Sequence, residues 1–130
     1  MTNTFIWPGG DRFCTAGTTR NAVYRYRLYS FGGALLDRTA LQEGHEGGLP
    51  DGSCLDADGM IWTARVVGGK CLTRMPPDAE ILDVAELDCS WPTSCAFGGS
   101  DLDTLYVTSA RFTRVSSISR SAPKRQACSP

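Results

Sequence analysis

The chain has 130 residues, the length of a single domain, and its formal net charge is −1 with 42% hydrophobic and 21% charged residues. No apolar run approaches the roughly 18 residues that a membrane-spanning helix needs, and the chain does not begin with a secretory leader pattern. We therefore expect a cytoplasmic protein without a membrane partner.

Short extended segments, separated by Gly, Pro and Asp, follow one another along the chain. No segment keeps helical periodicity over three turns, so the predicted fold class is all-β. In the third segment, alternation puts Arg25 and Arg27 on one face, which we expect to be exposed, and the tyrosines on the other. The predicted strands span residues 4–7, 12–16, 23–29, 35–41, 53–56, 60–66, 71–75, 81–87, 94–97 and 104–109.

An internal repeat organises these strands. Residues 3–16 align without a gap on residues 51–64 at an offset of 48, and a third copy begins at Pro92 with an offset of 41 that pairs Cys54 with Cys95. A restart every 41–48 residues indicates the blades of a β-propeller. We predict two full blades, 3–44 and 51–88, and two strands of a third, 92–109. Closed propellers need about 4–8 blades, so this partial β-propeller has open sheet edges that favour self-association.

Six cysteines raise the alternatives of disulfides or a zinc site. They form no CxxC pair, and only one histidine, His45, is available to complete a mixed site. Cys54 and Cys95 lie in apolar contexts where cysteine behaves as a small buried side chain. We predict structural core positions for the set, which is Cys14, Cys54, Cys71, Cys89, Cys95 and Cys128.

From residue 50 onward, an ordered series of motifs resembles the gluconolactonase/regucalcin (senescence marker protein) family. The series is Pro-Asp-Gly at 50–52, Leu-Asp-Ala-Asp-Gly at 55–59, Ile-Trp at 61–62, Pro-Thr-Ser-Cys-Ala-Phe-Gly-Gly at 92–99 and Asp-Thr-Leu-Tyr-Val-Thr-Ser-Ala at 103–110. The segment around Asn3, with Trp-Pro-Gly-Gly-Asp at 7–11, is similar to the family one blade earlier. The resemblance covers residues 2–112 and implies a six-bladed propeller, of which this chain holds about two and a half blades.

The resemblance also implies a site and an activity. One divalent metal ion (Ca²⁺, Zn²⁺, Mn²⁺ or Mg²⁺) would be bound by Asn3, Asp51 and a first-blade glutamate that has no counterpart here, and Asp51 would also be the catalytic base that hydrolyses a sugar lactone. On local sequence alone, Asp51 is a turn residue and Asn3 belongs to a terminus. Their aligned positions at the start of inner strands favour ligands. Because one ligand is missing, we expect weak or no activity from this chain. The alternative is a non-catalytic propeller fragment or interaction module.

Other polar clusters are expected to be structural. Asp11, Asp56, Asp58 and Asp103 lie in turns and are predicted to be solvated. His45, with Glu43 and Glu46, has the composition of a metal cluster but lies in the Gly-rich link 42–49, where we predict no function.

The last part of the chain differs in character from the rest. Residues 111–130 contain five basic and no acidic residues, and no aromatic residue follows Phe112, so we expect no nucleic-acid partner. We divide the chain into a propeller part, 1–112, and a divergent basic tail, 113–130, that we expect to be disordered. A frameshift or early stop in the coding sequence would explain such a tail.

Overall fold

The computed structural model describes residues 1–110 and the backbone of residues 116–119, and it confirms the all-β class. Apart from a 3₁₀ turn at Thr18–Arg20, the described residues contain no helix, so none that could cross a membrane. The strands are β1 (Ile6–Gly9), β2 (Arg12–Gly17), β3 (Ala22–Tyr29), β4 (Ala34–Glu43), β5 (Leu49–Leu55), β6 (Ile61–Val66), β7 (Cys71–Met75), β8 (Asp83–Glu86), β9 (Pro92–Gly98), β10 (Thr104–Ser109) and β11 (Ser116–Ser119).

The strands form three antiparallel sheets in chain order. Sheet 1 has the order β1-β2-β3-β4, sheet 2 has β5-β6-β7-β8, and sheet 3 has β9-β10-β11. Each is a meander in which every strand pairs with its neighbour in sequence, as in a propeller blade. Sheet 3 gains a third strand, β11, from within the tail that was predicted to be disordered. The rest of residues 113–130 lies outside the described residues.

The 48-residue repeat is confirmed by the register of the first two sheets. Two pairings of sheet 1, Ile6 with Cys14 and Thr2 with Gly17, recur in sheet 2 as Cys54 with Trp62 and Pro50 with Arg65. The chain therefore restarts the same sheet geometry at position 50, as the sequence alignment predicts.

The predicted offset of 41 for the third copy is wrong by one residue. Pro50 pairs with β6 as Pro92 pairs with β10, a distance of 42 residues, and Ser53, three residues past the first proline, corresponds to Cys95. A slip of one residue turns every side chain to the other face of a strand. Accordingly, Cys54 points from sheet 2 toward sheet 3, whereas Cys95 points back toward sheet 2. The shared Ser-Cys sequence had suggested that Cys54 and Cys95 are equivalent, but the two side chains lie on opposite faces of their sheets.

Two apolar cores lie between consecutive sheets. The core between sheets 1 and 2 consists of Ile6, Cys14, Val23, Leu41, Ile61 and Met75. The core between sheets 2 and 3 consists of Ala64, Leu72, Leu87, Cys89, Cys95, Leu105 and Val107. The predicted place in the core is confirmed for four of the cysteines, Cys14, Cys71, Cys89 and Cys95, which are buried, whereas Cys54 is only half-buried. Cys128 lies outside the described residues.

The face of β3 that carries Arg25 and Arg27 is only partly exposed, contrary to the prediction. Val23 on that face is buried in the core against sheet 2, Arg25 is half-buried, and Arg27 is exposed at the outer end, where it donates to Asp37 over 2.7 Å. The face changes from core to surface along the strand because sheet 2 covers only its beginning.

The opposite face of sheet 1 is aromatic. Phe13 is buried beneath Phe5, Trp7 and Tyr26, with ring centroids 5.3–6.1 Å from its own. By the 48-residue repeat, Trp7 and Phe13 stand where sheet 2 has Leu55 and Ile61, which pack on sheet 1. Phe5 and Trp7 are nevertheless 63% and 58% exposed in the described part of the chain. Sheet 1 thus carries large apolar side chains on both of its faces, as a sheet does that packs on two neighbours.

Candidate metal and catalytic site

Asp51 lies in a β-bulge of the innermost strand of sheet 2. Pro50 pairs with Arg65 and Ser53 with Thr63, so Asp51 and Gly52 together stand opposite one residue of β6. An extra residue of this kind redirects a side chain and commonly accompanies a functional site. The bulge therefore sets the direction of the Asp51 carboxylate.

Gly52 allows the inner strands of sheets 2 and 3 to approach each other. Gly52 is buried, and a Cβ atom at this position would overlap the backbone and side chain of Ser94 in β9. The φ angle of Gly52 is not in the left-handed region, so backbone conformation does not require a glycine here. The close approach of the two strands does. The residue beside Asp51 thus fixes how tightly the sheets converge.

Asn3 lies just before β1 and reaches Asp51 of the next sheet. Its Nδ2 atom donates to Asp51 Oδ1 over 2.5 Å and to the buried Thr18 hydroxyl over 3.2 Å. The two residues were predicted to begin their strands. Asn3 instead precedes its strand, and Asp51 is the third residue of β5. The structure brings the pair together, while their role as metal ligands stays a prediction.

The third sheet places a neutral residue at the corresponding position. Thr93 follows Pro92 as Asp51 follows Pro50, and its hydroxyl lies 2.9 Å from the hydroxyl of Thr108. Within residues 1–110 and the backbone at 116–119, no three or more His, Cys, Asp or Glu side chains are grouped closely enough to hold a metal ion. The described site therefore has one carboxylate and one amide.

Short hydroxyl side chains join sheets 1 and 2 directly behind the site. The backbone N–H of Ser53 donates to Thr4 Oγ1 over 3.0 Å, and Thr15 Oγ1 donates to the Thr4 carbonyl over 2.7 Å. In sheet 2, Ser53 Oγ donates to the fully buried Thr63 hydroxyl over 3.0 Å. Sequence reasoning assigned these residues no role. The alignment of Thr15 on Thr63 was the signal that could have identified them.

The Asp51 carboxylate is more basic than an ordinary aspartate. Burial raises its pKa, and the hydrogen bond from Asn3 lowers it by less. No Lys or Arg of the described residues lies within ion-pair distance of Asp51. A half-buried carboxylate without a cationic partner fits a bound cation, because the ion would compensate its charge.

Asp56 is a turn former, as predicted, but it is not solvated. Its side chain is 4% exposed, and it accepts hydrogen bonds from the N–H groups of Asp58 and Met60, the Trp62 indole and the Arg74 guanidinium at 2.8–3.0 Å. Burial raises the pKa of Asp56, but these donors outweigh it and hold the pKa below its usual value. The other predicted turn acids are exposed: Asp11, Asp58 and Asp103.

His45 is a local structural residue in the link between sheets 1 and 2. Its Nδ1 atom accepts the Gly47 N–H over 2.9 Å, and burial lowers its pKa. Together with Glu43 it lines an open cavity of about 440 Å³ between β4 and the segment before β8. The candidate cluster of His45, Glu43 and Glu46 does not assemble as a metal site among the described residues.

Comparison with known proteins gives one consistent result. The family model described as SMP-30/Gluconolactonase/LRE-like region matches residues 1–111. The chain is 43% identical to a 6-deoxy-6-sulfogluconolactonase of Pseudomonas putida over 75% of its own length and 33% of the relative. It is 42% identical to the pentonolactonase XacC of Haloferax volcanii over 77% of its length and 34% of the relative.

Solved structures agree with the sequence relatives. A luciferin-regenerating enzyme matches with a TM-score of 0.78 at 28% identity, and a regucalcin from Agrobacterium tumefaciens, described as a calcium-binding protein, matches with 0.73 at 30% identity. Each covers 85% of this chain and 38% of the solved one. The chain spans about a third of the length of the curated relatives it matches.

Proposed function

We propose, because this chain belongs to the SMP-30/gluconolactonase/LRE-like family, that it serves the metal-dependent hydrolysis of a sugar lactone through Asn3 and Asp51. The observation that carries the proposal is the 2.5 Å contact between these two side chains. They hold matching positions in consecutive sheets: Asn3 follows the bridge of Thr2 with Gly17, and Asp51 follows the equivalent pairing of Pro50 with Arg65. The relatives named as lactonases supply the reaction class.

Asn3 and Asp51 would hold the cation. The Asn3 amide now directs its nitrogen at Asp51, and half a turn of the amide would direct its oxygen there instead. A cation shared by the two oxygens would then replace the hydrogen bond. Oxygen ligands of this kind suit Ca²⁺, Mg²⁺ or Mn²⁺ and are accepted by Zn²⁺. Water would fill the remaining coordination positions.

Asp51 would also accept a proton. A bound divalent ion polarises a carbonyl and lowers the pKa of a nearby water. Asp51, next to that ion, would be the general base that takes the proton of the water. Water would add to the lactone carbonyl carbon as Asp51 takes its proton. The ring C–O bond would then break, and the proton on Asp51 would pass to the ring oxygen, which leaves as a hydroxyl. The product is a hydroxy acid.

A second candidate function is a non-catalytic interaction module. The observations that favour it are the single carboxylate at the site and the exposed aromatic face of sheet 1. In this case the blades would bind a second copy of the chain rather than a lactone. For either function we propose a reducing compartment such as the cytoplasm, where neighbouring thiols such as Cys54 and Cys95 stay reduced.

Metal binding by the purified chain tests the proposal. Titration calorimetry with Ca²⁺, Mn²⁺, Mg²⁺ and Zn²⁺ should show one divalent ion per chain. Asp51→Ala should weaken its binding at least about tenfold, because the loss of even an outer-shell partner of a metal ligand costs about 10–100-fold. Asp58→Ala, in an exposed turn, is the matched control and should leave the affinity unchanged. Equal affinities for the unmutated chain and Asp51→Ala would show that Asp51 is not a metal ligand.

Metal-dependent lactone hydrolysis, if any is measured, would favour the catalytic function over the interaction module. A pH-stat assay with gluconolactone should show weak or no turnover for the 130-residue chain, because the described residues supply only two metal ligands, Asn3 and Asp51. Any turnover should depend on the added metal and disappear in Asp51→Ala. Turnover that persists after chelation, or in Asp51→Ala, would contradict the proposed mechanism.

A further inference from the structure

Two thiols from different sheets meet close to the candidate site. Cys54 of β5 and Cys95 of β9 have their Sγ atoms 3.5 Å apart, although 41 residues separate them in sequence. Cys95 Sγ also lies 3.5 Å from the Trp62 carbonyl oxygen, which it can reach as a donor. Both side chains belong to the interface between sheets 2 and 3. The contact is therefore built into the packing of the two sheets.

The two thiols differ in access and in acidity. Cys95 is 5% exposed, whereas Cys54 is half-buried and in part accessible to solvent. The hydrogen bond with Cys95 lowers the pKa of the Cys54 thiol, and the same contact together with burial raises the pKa of Cys95. Cys54 is thus the thiol that reaches solvent and ionises first, and Cys95 is positioned to react second.

The backbone around the pair already holds the two strands together. Gly52, two residues before Cys54, packs against Ser94, the residue before Cys95, without room for a Cβ atom. A disulfide needs its sulfur atoms about 2 Å apart, so the remaining gap is about 1.5 Å. Side-chain rotation of two cysteines on strands in contact can supply a displacement of that size.

We propose that Cys54 and Cys95 form an oxidation-sensitive thiol pair that closes to an intersheet disulfide. The Cys54 thiolate attacks hydrogen peroxide, the O–O bond breaks, and a sulfenic acid and one water result. The Cys95 sulfur then displaces the hydroxyl group, so the S–O bond breaks as the S–S bond forms. Two thiols and one peroxide give one disulfide and two waters. The pair is independent of whether the chain hydrolyses a lactone.

Closure would act on the strand that carries Asp51. Cys54 lies three residues after Asp51 in β5, and the disulfide would join β5 covalently to β9. The link would make separation of sheets 2 and 3 more difficult, since it removes freedom from the unfolded chain. We expect the oxidised chain to unfold at a higher temperature than the reduced chain, with the gain reversed by dithiothreitol.

Peptide mapping of the full 130-residue chain tests the proposal. The chain is treated with one equivalent of hydrogen peroxide, alkylated under denaturing conditions and digested with trypsin. The expected product is a crosslink between the peptides 39–65 and 75–111, with two fewer alkylated thiols than in the untreated chain. Cys54→Ser and Cys95→Ser should each lose it.

A matched control is needed because the peptide 75–111 carries both Cys89 and Cys95. Cys89→Ser should keep the crosslink, and so should Cys14→Ser, in which a buried thiol whose pKa burial raises to about 11 is removed. Loss of the crosslink in Cys89→Ser but not in Cys95→Ser would overturn the assignment. Absence of any crosslink, or oxidation of Cys14 at the same rate as Cys54, would overturn the proposal itself.

Discussion

Asn3 and Asp51 stand at matching positions of consecutive sheets, and their side chains meet over 2.5 Å. The contact depends on two local features: the bulge that turns Asp51 and the bridge between Thr2 and Gly17 that holds the segment before β1. The contact is therefore a consequence of the sheet repeat. Neither residue belongs to an apolar core, so we expect that the charge at either position can be changed without altering the cores.

Replacing Asn3 with aspartate should strengthen cation binding. Asn3→Asp puts two carboxylates in contact, so their repulsion raises the pKa of the pair in the absence of metal, and a divalent ion relieves it. We expect affinity to rise by about tenfold, equivalent to about 1.4 kcal/mol, in titration calorimetry at neutral pH. Asn3→Ala, which removes the amide without adding charge, should weaken binding. Weaker binding in Asn3→Asp than in Asn3→Ala would argue against a shared cation.

The buried carboxylate of Asp56 should stabilise sheet 2. The Trp62 indole N–H and the Arg74 guanidinium both donate to one oxygen of the Asp56 carboxylate. In Asp56→Asn an amide replaces the carboxylate, so the charge that pairs with Arg74 is lost and an NH₂ group can face these two donors. We expect a loss of about 2–4 kcal/mol in the free energy of unfolding by urea. Asp58→Asn, at a side chain that is 75% exposed, should change it by less than about 0.5 kcal/mol.

The contribution of Asp56 should also depend on pH. Its folded pKa lies below the ordinary value of 3.8, so its stabilisation is present above that value and is lost as the pH falls through the lowered pKa. The stability difference between the unmutated chain and Asp56→Asn should therefore be constant near neutrality and narrow in acid. A difference that widens below pH 4 would contradict the assigned shift.

The approach of Gly52 to Ser94 should appear as a coupling between the two positions. Gly52→Ala places a methyl group against Ser94, and we expect a cost of about 1–3 kcal/mol in urea unfolding. In the double variant, Ser94→Gly should recover part of the lost stability, because it removes the side chain that the new methyl group would contact. Additive effects of the two substitutions would show that the strands do not meet as described.

The aromatic face of sheet 1 should promote self-association. Phe5 and Trp7 are exposed, whereas Leu55, the counterpart of Trp7 in sheet 2, packs on sheet 1, so a second copy can bury the two aromatic side chains. We expect concentration-dependent dimers in sedimentation velocity that Phe5→Ser with Trp7→Ser reduces. Phe31→Ser removes an aromatic residue that is 84% exposed in the β3–β4 turn, and it should leave association unchanged. Equal effects of the two variants would exclude a specific face.

Sequence reasoning identified the strands and the repeat well because both are local patterns. Asn3 and Asp51 could be paired through the 48-residue offset, and their contact follows from the equal register of sheets 1 and 2. The offset read from letters failed in the third sheet because the Ser-Cys pairs at 53–54 and 94–95 match in residue type but not in register, and so not in face.

Other features depended on distances that no alignment contains. Asp56 has the sequence context of a solvated turn acid, and only the positions of Trp62 and Arg74 make it buried. The approach of the Cys54 and Cys95 sulfur atoms likewise requires the packing of sheet 2 on sheet 3. Pairing within a sheet could be predicted from local pattern, whereas contacts between sheets, apart from that of Asn3 with Asp51, could not.

The pairing of every described strand with its neighbour in sequence has a consequence for synthesis on the ribosome. Sheet 1 contains all its strand partners once residue 43 has left the exit tunnel, and sheet 2 once residue 86 has done so. Each meander closes only short loops, so it can form without waiting for distant chain. The nascent chain can therefore gain structure one sheet at a time, with each finished sheet offering a surface on which the next one folds.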